Sequence, residues 1–339
     1  MKLWNGLLLV VSGALLIGSV KSLLGYWQYD ELPADIPKLM LQQVNADQVK
    51  VSIQEAIDNG QPEDARMYLQ LAQTFGYNID PAPYEQQLQA LESPLNKAVR
   101  GAKDFANGFV DGKGESGAGV AGAVTSDFTV VGDVRDLWEQ YQLYAKGQPV
   151  NELIVTLAGV GVGLTAATMA SSGIAAPVKG GVSTTKVAAR LGHITPDFQK
   201  VLLKQGTNVF DYKAFMNIAQ AEKSMDGIRK AAVRAYNPNA LRALGQTAEQ
   251  VNNMRKASST ADTVRLLRYV DNGDDLVRME KLTVRYGAQT KGIMKFLGKS
   301  AIGTMRVLHK SMELLVSAIA SALSMLSSLV SLRGLFSRA

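Results

Sequence analysis

His193 and His309 are the only two imidazoles in 339 residues, and the chain contains no cysteine. Imidazole is the side chain suited to proton transfer near neutral pH and a common metal ligand, whereas thiolate is the usual soft ligand and nucleophile. Disulfides, thiolate metal sites and thiol catalysis are therefore excluded. His193 lies in Gly192-His193-Ile194-Thr195-Pro196, a loop context beside a basic run, and His309 precedes an apolar helix, so no paired spacing joins them. Neither HExxH nor GxSxG occurs. The loop from Asp111 to Gly117 sets Lys113 among glycines, but a phosphate loop needs Gly-Lys-Ser/Thr after a strand, and Gly114 follows Lys113. The first half is rich in carboxylates, yet no pair has the spacing and apolar setting of an acid/base couple. We expect no catalytic residue, no cofactor and no metal. An enzyme using dispersed residues is an alternative.

The elements around these residues carry more information. Three uncharged apolar runs, Leu3 to Val20, Leu153 to Val178 and Leu314 to Leu332, each approach the roughly 20 residues a helix needs to cross a bilayer. Between them the charge divides. Residues 25–151 hold 9 Lys/Arg against 18 Asp/Glu, and residues 179–310 hold 23 against 10, a split hidden by the net charge of +6. Such asymmetry points to a membrane or a polyanion. Lys2, the Leu-rich run and the group Tyr26, Trp27 and Tyr29 predict an uncleaved signal anchor over 1–29, with the aromatic rings at headgroup depth.

Residues 30–115 read as an acidic helical module. Asp47 to Asn59 predicts one helix, stopped at Asn59-Gly60, and Pro62 with Glu63 and Asp64 opens the next. Gly60, Ala65, Tyr68, Leu69 and Ala72 resemble the turn and second helix of a tetratricopeptide-type repeat over 47–76, which implies a packing module able to contact a partner. Tyr68, Tyr84 and Trp138 are the candidate contact residues. Residues 116–178 are Gly/Ala-rich. Asp133, Arg135, Asp136 and Glu139 interleave with Val134, Leu137, Trp138 and Tyr141, predicting a helix with one aromatic and one charged face that lies on a membrane or covers the spans. Gly117 through Asp133-Val134-Arg135-Asp136-Leu137 to Val178 also resembles the helical, Gly-rich region preceding toxin domains in bacterial polymorphic toxins.

Within the candidate transmembrane helix 153–178, Gly159, Gly161 and Gly163 are the helix-packing candidates, because small residues let membrane helices approach closely. The alternative for this run is a buried hairpin broken at Ser171-Ser172-Gly173, whose halves are too short to span. Residues 179–310 read as a basic helical module, with Lys291, Lys295 and Lys299 along one helical face that could rest on anionic lipid. No nucleic-acid motif accompanies that charge, so nucleic acid is not an expected partner. Residues 311–339 predict a transmembrane or interfacial helix.

The fold class expected is mainly α: a membrane-anchored helical protein with two or three transmembrane helices and helical extramembrane modules. Its expected place is the bacterial inner membrane, with the acidic segment periplasmic and the basic segment cytoplasmic by the charges flanking the spans. The expected function is a scaffold or interaction protein whose partners are the lipid bilayer and other proteins, or itself through the Gly-rich helix. The alternative is a pore-forming or membrane-inserting effector that shelters its apolar runs in a helical bundle.

Overall fold

The computed structural model describes residues 35–92, 130–170, 176–222 and 224–303, together with positions 11, 17, 18, 316, 319, 320 and 323. The chain divides into two units, one of Met1–Ala34 with Gly303–Ala339 and one of Asp35–Ile302. Among the described residues the chain is mainly α-helical, and the nearest approach to a sheet is an isolated antiparallel bridge between Phe210 and Tyr236.

Local sequence explains the helix starts in the larger unit. Asn45 and Gln48 form a reciprocal capping box at the head of α2 (Ala46–Asp58), which follows α1 (Ile36–Gln43). Pro62 starts α3 (Pro62–Thr74) with Glu63 and Asp64 in its first turn, and α4 (Ala82–Leu91) closes this part. After α5 (Val130–Ala145), α6 (Glu152–Ala170) and α7 (Ala176–Arg190), short polar caps recur. Thr195, Asp211 and Ser224 each accept a backbone N–H at the start of α8 (Pro196–Gly206), α9 (Tyr212–Ala219) and α10 (Met225–Ala235). Then come α11 (Arg242–Ala257), α12 (Thr260–Leu266), α13 (Gly273–Tyr286) and α14 (Gln289–Leu297). Ser259 and Asn272 cap α12 and α13.

α6 is the axis of this unit. Every residue from Leu153 to Leu164 is buried, and α5, α7, α8, α9 and α10 all pack on it. A helix that is apolar all round belongs either in lipid or at the centre of a protein, and here five helices take the place of lipid. The candidate span 153–178 is corrected accordingly. Its first part is the core helix α6, and α7 begins separately at Ala176, as the hairpin alternative has it. Among the described residues no helix is long and apolar enough to cross a membrane. The runs at Leu3–Val20 and Leu314–Leu332 lie outside the described residues except for those few positions. So does the loop from Asp111 to Gly117.

A second correction concerns the charge split. The acidic and basic segments, expected on opposite sides of a bilayer, pack together within one unit, with α14 lying against α1 and α3. Lys291 binds Asp64 of α3 and, at 2.9 Å, Asp262 of α12. Lys295 reaches Ser52 at 3.1 Å and Glu55 at 3.2 Å on α2, and Lys299 binds Asp271. The three lysines read as a membrane-facing stripe thus have carboxylate partners inside the protein. Opposite charges that attract in sequence composition are here used for docking helix on helix.

Candidate functional site

The densest chemistry in the structure is a charge network buried where α5 meets α6 and α7. Asp133 and Asp136 stand three residues apart on α5 and so share one face. Both are about fully buried, and the wholly buried Lys186 of α7 donates to them at 2.5 Å and 2.8 Å. Arg190, one turn further along α7, also pairs with Asp136, and Arg135 approaches the same carboxylate at 3.4 Å. Lys179, near the start of α7, donates to the Thr165 hydroxyl, which in turn donates to the Gly161 carbonyl at 2.9 Å. α5 therefore turns its acids inward. The charged face read for this helix is thus turned onto a lysine that the pattern did not pair with it.

Burial pushes the Asp133 carboxyl up to about 6, against the opposing pull of Lys186. Its Oδ2 is buried with no hydrogen-bond partner, which leaves half of the carboxylate unsatisfied. Burial also lowers the Lys179 ammonium, while Asp133 raises it. A carboxyl whose folded pKa exceeds its unfolded value holds its proton more tightly when folded. Its cost to stability is therefore largest above pH 6 and shrinks as pH falls toward the ordinary carboxylate range near 4. We expect the wild-type chain to gain about 1 kcal/mol from this group between pH 7 and pH 5, and Asp133→Asn to lose that gain. Urea midpoints of both proteins at the two pH values measure it, and parallel pH profiles would contradict the assignment.

The glycines of α6 are what let these groups come close. A Cβ at Gly161 would overlap the Asp133 carboxylate, and one at Gly159 or Gly163 would overlap the ring of Phe210 or Tyr236. Those two rings arrive together because residues 209–211 and 235–237 are bridged. Asp211 N–H donates to the Ala235 carbonyl at 3.0 Å, and Asn237 N–H to the Val209 carbonyl at 2.7 Å. Gly159 and Gly163, four apart, receive the aromatic pair on one face, and Gly161 receives the acid on the other.

Beside this network lies an open cleft of about 830 Å³, lined by side chains of α3, α12, α14 and the end of α7. Arg190 joins the two, since it lines the cleft and holds buried Asp136. α7 ends at Arg190 and the chain turns at Gly192, whose φ of +71° is open to glycine, while His193 N–H closes back on the Ala188 carbonyl at 2.8 Å. This turn presents His193 to Arg268, whose guanidinium stands 3.1 Å from Nδ1 and 3.3 Å from Nε2. The Thr195 hydroxyl ties the two loops by donating to the Val270 carbonyl at 2.7 Å. Arg265, Lys291 and Lys295 complete the basic lining, and Asp64 is the carboxylate among the lining residues.

Of the residues proposed to touch a partner, Tyr68 is corrected. It is 5% exposed, packed edge-on to Phe296 at 5.9 Å, with the Lys295 ammonium 5.1 Å from its ring centre. Desolvation, first, and the Asp64 carboxylate raise its hydroxyl well above the ordinary tyrosine value. Tyr84 and Trp138 are half-buried at the surface, Trp138 against Tyr141. Among the described residues no group of three His, Asp or Glu is placed to hold a metal. Sequence reasoning missed Asp133, Asp136, Lys186, Arg190 and Arg268 as one neighbourhood. The available signal was Lys186 standing as the one charge in the small-residue stretch Gly180 to Ala189, with an i, i+3 acid pair at Asp133 and Asp136. Comparison with protein-family models, curated proteins and solved structures finds no match to this chain.

Proposed function

We propose that this chain is a helical scaffold displayed at a membrane of the bacterial envelope, its 35–302 unit serving as the interaction module and its two terminal apolar runs as the anchor. The supporting observation is that the first and last segments of the chain group as a unit of their own. At positions 11, 17, 18, 316, 319, 320 and 323 of that unit the backbone is helical, and Val11, Ile17, Val316, Ile319 and Leu323 are between 49% and 70% exposed. Exposed aliphatic side chains recurring on helices at both ends of one chain are suited to lipid, because water contact with that surface is costly. The bacterial inner membrane as the location, and other envelope proteins as partners, belong to this proposal. A membrane-inserting effector has less support, because α6 would have to leave three side chains seated on its glycines, and insertion of α6 together with α7 would break the Asp133–Lys186 contact between α5 and α7.

The test is extraction of the full chain from cell membranes. The wild-type protein is expected in the membrane fraction, resistant to alkaline carbonate and released by detergent. Ile17→Arg combined with Ile319→Arg places a charge in each run, at about 3 kcal/mol per arginine near a helix centre, and is expected to shift the chain toward the carbonate-soluble fraction. Recovery of the wild-type chain without detergent would rule the reading out.

A further inference from the structure

We infer that the cleft beside the end of α7 binds a phosphate-bearing anion through Arg268 and His193, with Arg190 and Arg265 flanking it.

Most cations lining the cleft already have carboxylate partners. Lys291 sits between Asp64 and Asp262, Lys295 reaches Glu55, and Arg190 holds Asp136. Arg265 lies 3.6 Å from Asp262. Arg268 is different. Among the described residues it pairs with no carboxylate, and its hydrogen-bond partner is the His193 ring. A guanidinium is always charged, and a neutral imidazole offers it one lone pair and no compensating charge. The arrangement thus holds an uncompensated cation at a concave surface, beside four further basic side chains, Arg190, Arg265, Lys291 and Lys295, that raise the local potential.

The position is built rather than accidental. Gly192 turns the chain so that His193 faces Arg268, and the Thr195 hydroxyl fixes the His193 loop to Val270, two residues from Arg268. Preorganised donors bind an anion without the entropy of ordering two long side chains at the moment of binding. The planar guanidinium fork matches phosphate oxygens two at a time, and the imidazole can give a third hydrogen bond. A phosphate monoester carries about −1.5 to −2 at pH 7 with three acceptor oxygens, which suits a site where one cation pairs with no carboxylate and its neighbours are already shared with the protein's own acids. A cleft of about 830 Å³ has the size of a small-molecule site. The ligand is therefore a phosphate monoester or diphosphate, whether free in solution or carried as a lipid headgroup.

Titration calorimetry on the full chain in neutral detergent tests this, with inorganic pyrophosphate and dihexanoyl phosphatidic acid as probes and dihexanoyl phosphatidylcholine as the zwitterionic control. Saturable binding of either phosphate probe, without binding of the zwitterion, is expected. Arg268→Ala should weaken it roughly ten- to a hundredfold, as loss of charge-assisted hydrogen bonds does, and His193→Ala should weaken it by less. Arg268→Lys keeps the charge but not the fork and should fall between wild type and Arg268→Ala. Arg229→Ala, which removes an exposed arginine on α10 that does not line the cleft, should leave affinity unchanged. Binding of pyrophosphate as well as phosphatidic acid identifies a site for the phosphate group itself, and binding of phosphatidic acid alone identifies a lipid-headgroup site. No binding of either probe at millimolar concentration would overturn the inference, as would equal losses in Arg268→Ala and Arg229→Ala. Arg268 is exposed, so its variants are expected to keep the wild-type circular dichroism and melting temperature.

Discussion

Lys186→Met should cost about 3–5 kcal/mol of folding stability, the range seen when one partner is removed from a buried ion pair. Methionine nearly matches the lysine stem in length and volume, so little packing is lost and the charge is what changes. The ammonium is wholly buried and satisfies Asp133 at 2.5 Å and Asp136 at 2.8 Å. Without it two carboxylates remain close together in an apolar setting. Asp133 is raised to about 6 even with the lysine present, because burial outweighs the attraction. Removing that attraction must raise it further, so the variant's deficit should be greatest at neutral pH and shrink on acidification. A loss of this size is a large part of the 5–15 kcal/mol that holds a typical domain together. Adding Asp133→Asn and Asp136→Asn to Lys186→Met should recover part of it, since no carboxylate is then buried opposite a missing ammonium, and Arg190, which loses Asp136, reaches solvent at the cleft. Urea unfolding of the single and triple variants at pH 5 and 7 decides the matter. A single variant with the wild-type midpoint would mean that the network is solvated in solution.

Much of the helical framework was legible because it is written locally. Asn59-Gly60 followed by Pro62, Glu63 and Asp64 states a stop and a start within six residues, and the α2–α3 hairpin follows it. The ambiguity of the Leu153 to Val178 run is physical. An apolar helix looks the same whether lipid or protein surrounds it, and only the five helices that converge on α6 decide between them. Gly159, Gly161 and Gly163 stood out by their size, but what each one receives is decided far away, by Phe210, Asp133 and Tyr236. The basic stripe Lys291, Lys295 and Lys299 was read as lipid-facing for the same reason. Spacing shows that three ammonium groups share a face, and it cannot show that Asp64, Glu55 and Asp271 wait opposite. Arg268 and His193 are 75 positions apart, and their meeting depends on a glycine turn and a threonine tie that carry no joint signature.

Gly181→Ala should destabilise the protein by about 3 kcal/mol, whereas Gly180→Ala next to it should be close to neutral. Both glycines are buried on α7 where it meets α11, and both substitutions gain the roughly 1 kcal/mol by which alanine favours a helix over glycine. What differs is the obstacle. A Cβ at Gly181 would overlap the backbone carbonyl of Ala248, which no rotamer change can move, so α7 and α11 must separate. At Gly180 the nearest atom is the Asn252 Oδ1, 2.9 Å away at the end of a side chain, and the next is a guanidinium nitrogen of Arg255 at 3.6 Å. Asn252 can rotate aside at the cost of its contacts with Arg255, at 2.9 Å and 3.2 Å. Thermal or urea unfolding of the two variants separates a backbone contact from a side-chain one, and equal losses would show that the helix pair tolerates a wider spacing. The consequence reaches beyond stability. α7 carries Lys186 into the buried acids and, at its far end, Arg190 and His193 into the cleft. Moving α7 off α11 should therefore weaken pyrophosphate binding in Gly181→Ala while Gly180→Ala retains it, linking the glycine that seats the helix to the charges it delivers.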